Sequence, residues 1–282
     1  MTFGPYEILE QTGIEGGGFD ALARGEDGKE VRLWAGAEGT GADPDRVAAQ
    51  VPRISKVFHS SLPRVTRGDV IENRAVFVVP VYRGRLLRQR LADGPVDPPE
   101  ALDWLRVAAA GLVKAHKAGV VHGAVGPDTV LLADDGRTLL LYLGMAPFLG
   151  ERAARAPEDE GRPGGSESGD VYGLSRALAE CLTGQDPYPQ SGPAPQESDF
   201  PPTLPEGLRR FLARAVRAEP DGRIHRAEEF SGDLGVIRAS WEAASTPPRK
   251  AIPLRRFRLA LWLPMALGIA LISALLVRSC GS

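Results

Sequence analysis

The stretch His122-Gly123-Ala124-Val125-Gly126-Pro127-Asp128-Thr129, followed by Val130-Leu131-Leu132 and, thirteen residues past Thr129, by Tyr142-Leu143-Gly144, decides how the rest of the chain is read. Residues 98–118 precede it, with Leu102, Trp104, Leu105, Val107, Leu112 and Val113 among many alanines. Apolar side chains fall nearly all round a helical projection, so the spacing predicts a buried central helix. Downstream, Ala133-Asp134-Asp135-Gly136-Arg137 has the composition of a turn between two short strands. Cys181, inside the apolar run 177–182, reads as a small buried hydrophobe. Neither the two cysteines, Cys181 and Cys280, nor the four histidines (59, 116, 122, 225) show metal-ligand spacing.

The opening stretch resembles the catalytic loop of eukaryotic-type Ser/Thr protein kinases, H-R-D-x-K-P-x-N, with their metal-binding D-F-G downstream. In that family the loop Asp orients the substrate hydroxyl, the Lys steadies the transferred phosphoryl group, and the Asn and the D-F-G Asp hold Mg²⁺. Here Ala124, Gly126, Thr129 and Tyr142 stand at those positions. Loss of one preorganised electrostatic group costs about 3–4 kcal/mol of barrier, and several are missing together. The resemblance implies an α+β, two-lobed protein-kinase-like fold with a small β-rich N-terminal lobe and a mainly helical C-terminal lobe. It also implies no catalytic residues, no metal site, and a structural role for His122.

The N-terminal lobe carries matching changes. Gly28-Lys29-Glu30-Val31-Arg32-Leu33-Trp34 lies where the family has a strand ending V-A-I-K, which puts Trp34 in place of the ATP-binding lysine. Side chains two apart on a strand share a face, so Arg32 is expected to point into the cleft beside Trp34. The partner glutamate of the next helix, counted back nine residues from His59, falls on Gln50. The glycine cluster Gly16-Gly17-Gly18 sits between expected strands 6–10 and 21–25, and Asp20 stands where the last loop glycine would be. A carboxylate there is expected to face and repel phosphates.

Other matches are structural and run from about residue 6 to 234. Ala156-Pro157-Glu158 resembles A-P-E, Asp170-Val171-Tyr172-Gly173-Leu174 the start of the family's central helix, and Pro220-Asp221-Gly222-Arg223 its D-P-x-x-R. The resemblance implies an ion pair between Glu158 and Arg223 and a bracing of the loop at His122 by Asp170. Residues 75–84 look like the strand and hinge that grip adenine. There the Pro80 carbonyl and the Tyr82 N–H, with Gly16, Gly17 and Gly18, leave ATP contact open, although no cofactor is expected.

Composition fits one such domain of 1–240: 282 residues, 43% hydrophobic, 25% charged, formal net charge −2. That balance gives no support for nucleic acid as a partner. Only Lys29, Lys56, Lys114, Lys117 and Lys250 are lysines among 34 basic residues, a bias that suggests a bacterial genome rich in arginine codons. Beyond a linker at 241–258, residues 259–277 carry no charge. As a helix they span about 28 Å, close to the bilayer's hydrocarbon thickness. Arg249, Lys250, Arg255, Arg256 and Arg258 precede this segment and Arg278 follows it. The positive-inside rule therefore predicts a single-pass cell-membrane protein with a cytoplasmic N-terminal domain and a short external tail, 278–282. Residues 145–155 contain no Ser, Thr or Tyr, so phosphorylation of an activation segment is not expected.

Read together, these features point to a pseudokinase, a signalling or scaffold protein that binds cytoplasmic signalling proteins, an active kinase among them, and contacts the lipid bilayer. Two alternatives stay open: an atypical kinase using Lys29 or Arg24 with Asp134 or Asp135, and a nucleotide-binding switch without catalysis.

Overall fold

Period-two alternation of side chains builds the N-terminal lobe in the computed structural model, which describes residues 1–149, 156–162, 164–187 and 195–245. Strands β1 (Thr2–Phe3), β2 (Tyr6–Ile14), β3 (Gly18–Arg24), β4 (Glu30–Ala35), β5 (Arg67–Ile71) and β6 (Arg74–Val79) pair antiparallel in the order β1-β2-β3-β4-β6-β5. On one face, Phe3, Ala21, Ala23, Leu33, Ala35, Val76 and Val78 form a small outer core. Trp34, Ala75, Phe77 and Val79 belong to the main core, which continues into the second lobe. Adjacent residues of one strand thus serve two cores.

The glycine-rich hairpin differs from its sequence reading. Expected strands 6–10 and 21–25 become 6–14 and 18–24, because pairing continues from Gln11↔Ala21 to Ile14↔Gly18. Only residues 15–17 remain to turn the chain, and Gly16 and Gly17 do so at φ +89° and +81°, a region that side chains with a Cβ rarely enter. Helix α1 (Pro44–Ser55) packs on β5 and β6. Its first turn is capped by the Asp43 carboxylate, which accepts from the Asp45 N–H at 2.8 Å.

The second lobe contains helices α2 (Leu87–Leu91), α3 (Pro98–Lys117), α4 (Glu167–Thr183), α5 (Glu206–Ala215) and α6 (Ala227–Ser245), with a small sheet of β7 (Gly84–Leu86), β8 (Val130–Ala133) and β9 (Thr138–Leu140). The expected central helix forms as α3 and buries Leu102, Leu105, Ala108, Ala109 and Leu112. Asp134 and Asp135 lie in the β8–β9 turn, where Asp135 accepts from the Arg137 Nε at 2.8 Å. Helix α4 comes so close to the loop at Val125 that a Cβ on Gly173 would overlap the Val125 carbonyl. Buried Arg223 donates to Glu158, donates to Ser168 Oγ at 3.1 Å, and lays its guanidinium 4.7 Å from the Tyr172 ring centre.

The expected membrane segment 259–277, its basic flank from Arg249 to Arg258 and the tail lie outside the described residues, as do residues 150–155. Among the described residues no helix is long and apolar enough to cross a membrane.

Removing a buried charge partner leaves the other charge uncompensated, so Arg223→Ala should lower stability by about 3–5 kcal/mol in urea unfolding. Burial pushes the Cys181 thiol up to about 12. Because the thiolate is the reactive form, Cys181 should resist alkylation at pH 8 in the folded protein and react only after denaturation, as read by peptide mass.

Candidate functional site

The cleft between the lobes is organised by one carboxylate. Strand register places Asp20 opposite Trp34, and Trp34 opposite Phe77, while Arg32 lies two residues before Trp34 on the same face. Asp20 is 2% exposed and Trp34 fully buried. Arg32 Nε donates to Asp20 Oδ1 at 2.6 Å, and Tyr142 Oη donates to Asp20 Oδ2 at 3.1 Å. Tyr82 Oη also donates to Asp20 Oδ2, and accepts from Trp34 Nε1 at 2.8 Å. The Arg32 guanidinium lies 4.7 Å from the Tyr82 ring centre, and the Trp34 and Tyr142 rings meet edge to face at 5.3 Å.

Burial, then the Asp20 charge, pushes the Tyr82 phenol well above its ordinary value of 10.0, so it stays protonated and able to donate. For Arg32, burial is the largest influence and works against the charged form, but Asp20, Tyr82 and Tyr142 together outweigh it and the guanidinium is held above its ordinary value. Asp20 therefore does not meet the expectation of a carboxylate directed at phosphates. It turns inward, because Arg32 on the neighbouring strand supplies the opposite charge.

The neighbouring segments close around this cluster. Gln50, on α1, donates from Nε2 to the Gly144 carbonyl at 3.0 Å. Ala37 N–H donates to the Phe148 carbonyl at 2.9 Å. The glycine hairpin is pinned by Arg74, which donates from Nη1 to the carbonyls of Gly17 at 3.1 Å and Gly36 at 2.9 Å. A Cβ on Gly18 would lie 2.8 Å from Leu149 Cδ2. Pro80 is exposed beyond the end of β6, and the Tyr82 side chain, two residues on, turns into the cleft.

Below the cluster, the loop at His122 is held by Asp170. One oxygen accepts from the His122 N–H at 2.8 Å and pairs with His116 Nε2 at 2.9 Å; the other accepts from the Gly123 N–H at 2.6 Å. His122 Nε2 donates to the Leu141 carbonyl at 2.7 Å, which sets the loop beside Tyr142. Ala124 is buried and carries no polar side chain. Thr129 is buried with its hydroxyl folded back onto Gly126, donating to that residue's carbonyl at 3.0 Å and accepting from its N–H at 3.1 Å. Tyr142 has φ +66°, a left-handed conformation that costs an aromatic residue about 1–2 kcal/mol. No group of three or more His, Cys, Asp or Glu among the described residues is placed to hold a metal ion.

Sequence reasoning had singled out Trp34, Arg32, Gln50, Thr129 and Tyr142, and the structure places each at the cleft or its floor. It missed the Tyr82 side chain, Arg74 and the role of Asp20 as common acceptor, whose partners are 12, 62 and 122 residues away along the chain. The β3–β4 hairpin register was the one available signal for the Asp20–Arg32 pair.

This architecture has solved counterparts. The kinase domain of Mycobacterium tuberculosis PknI superposes with a TM-score of 0.71, at 23% identity, over 84% of this chain and 98% of that domain. The fold is that of a protein kinase. In sequence, the Streptomyces coelicolor Ser/Thr protein kinase PkaA is 30% identical over 252 residues, 79% of this chain and 46% of the relative. The M. tuberculosis Ser/Thr protein kinase PknE is 24% identical over 287 residues, 92% of this chain and 50% of the relative. PknH of the same organism is 30% identical over 177 residues, 55% of this chain and 27% of the relative. The kinase-like chain is thus related to bacterial Ser/Thr protein kinases and spans half or less of the length of these three. No family model matches it.

Asp170→Ala would strip three donors of a buried acceptor. An unsatisfied buried group costs about 1–3 kcal/mol, and more where a charge is involved, so a loss of about 3 kcal/mol or more is expected in urea unfolding. Chemical shifts of the His122 ring should move as the loop loosens.

Proposed function

We propose that this protein is a membrane-anchored pseudokinase, a kinase-fold protein that acts by binding cytoplasmic signalling proteins, an active kinase among the candidates, and not by transferring phosphoryl groups. The observation that carries this reading is the contact between Trp34 and Tyr142. These residues stand at the positions of the ATP-binding lysine and the metal-binding aspartate, and their rings touch across the cleft. Phosphoryl transfer relies on positioning and charge around Mg-ATP. The side chains present offer that ligand neither a cation at Trp34 nor a carboxylate at Ala124 or Tyr142, and Arg32 and Asp20 neutralise each other. Mg-ATP and these residues do not fit together, so no catalytic step is derived for this centre. The uncharged segment 259–277 and its basic flank support membrane attachment with the kinase-fold part in the cytoplasm.

The named activity of PkaA, PknE and PknH favours a second reading, an active kinase with displaced catalytic groups. Three of its four candidate residues are engaged elsewhere. Lys29 pairs with Asp27, Arg24 with Glu7 and Glu30, and Asp135 with Arg137, all at partly or largely exposed positions.

Thermal unfolding of the full chain with millimolar Mg-ATP separates the two readings. Ligand at a hundred times its Kd adds about 2.7 kcal/mol, and no shift is expected here. Trp34→Lys alone should leave phosphate transfer to generic acceptors undetectable. A clear shift in the native protein together with phosphate transfer would overturn the proposal.

A further inference from the structure

We infer that the Asp20 cluster is a built-in tie between the lobes, holding them closed by side chains where a kinase fold would otherwise have a ligand between them. This rests on the reading that the cleft does not take nucleotide, and adds that closure needs no ligand of any kind. Several contacts join the N-terminal lobe to residues 142–148, and four of them lie at or beside the cluster. They are the Tyr142–Asp20 hydrogen bond at 3.1 Å, the Trp34–Tyr142 ring contact at 5.3 Å, the Gln50–Gly144 hydrogen bond at 3.0 Å and the Ala37–Phe148 hydrogen bond at 2.9 Å. Opening the lobes would take the Tyr142 hydroxyl from a buried carboxylate, part an aromatic pair and expose Trp34 and Tyr142 to water at one time.

These costs fall together, because a charge out of water is tolerated only while its donors surround it. The left-handed backbone at Tyr142 points the same way, since a conformation of that cost persists only when its surroundings impose it. Here they are the ring contact above the residue, Asp20 at its hydroxyl, and Gly144, whose own φ is +77° and where a Cβ would overlap Ile54 and Gln50 of α1. The consequence is a constant lobe arrangement. A binding partner would meet one shape, with α1 fixed to the loop at Gly144, whatever the nucleotide level.

Hydrogen–deuterium exchange on the full chain, followed by peptide mass, tests this. In the unmodified protein, peptides covering 18–24 and 140–149 should exchange slowly without nucleotide and no differently with Mg-ATP. Asp20→Ala should speed exchange at least tenfold in both peptides, one in each lobe, and leave α4 unchanged. Tyr142→Phe, which removes only a hydroxyl, should produce a smaller rise confined to the same two peptides and serves if Asp20→Ala does not fold. Loosening of 18–24 alone in both variants would overturn the tie, and so would slow exchange that appears only when nucleotide is added. Nucleotide binding to a protein already protected in both peptides would instead refute the closed-cleft reading while leaving the tie intact.

Discussion

A carboxylate taken out of water must be surrounded by donors, and in this protein that requirement shapes the cleft. Asp20 has its opposite charge on the adjacent strand, in Arg32, and hydroxyl donors from Tyr82 and Tyr142. Each donor belongs to a different stretch of chain, so satisfying one side chain sets the facing of β4, the inward turn of Tyr82 after β6, and the conformation of the loop that ends in Gly144. Trp34 completes the set by donating to Tyr82 and packing on Tyr142. A buried ion pair is weak evidence of net stability, because desolvation offsets much of its attraction. Its firmer consequence is geometric: few arrangements satisfy every member at once.

A second buried carboxylate, Asp170, does the same below the cleft. It gathers the backbone of His122 and Gly123 and the ring of His116, and His122 passes the constraint on to Leu141. The two networks meet at 141–142. Polar groups that hold the frame are thus retained and satisfied internally, whereas Ala124, Thr129 and Tyr142 bring no charge to the surface between the lobes. Thr129 even directs its hydroxyl to its own turn at Gly126.

Much of this was legible along the chain, because it depends on spacing. The central helix, the β8–β9 turn at Asp134 and Asp135, and the shared face of Arg32 and Trp34 follow from periods of 3.6 and 2.0 residues and from turn chemistry. The length of the glycine hairpin was less legible. A register continued through Ile14↔Gly18 depends on backbone pairing that composition does not signal, and glycines next to a strand read equally well as loop.

The amino-acid sequence by itself determined which residue types stand at each position of the kinase-like frame, and therefore which charges the cleft lacks. Only the tertiary structure decided where the remaining charges go. Asp20 and Tyr142 are 122 residues apart, and no local preference indicates that one will accept the other's hydroxyl. That choice follows from the folding of β3 over the 142–144 loop, where a buried carboxylate accepts whatever donors the packing brings within reach.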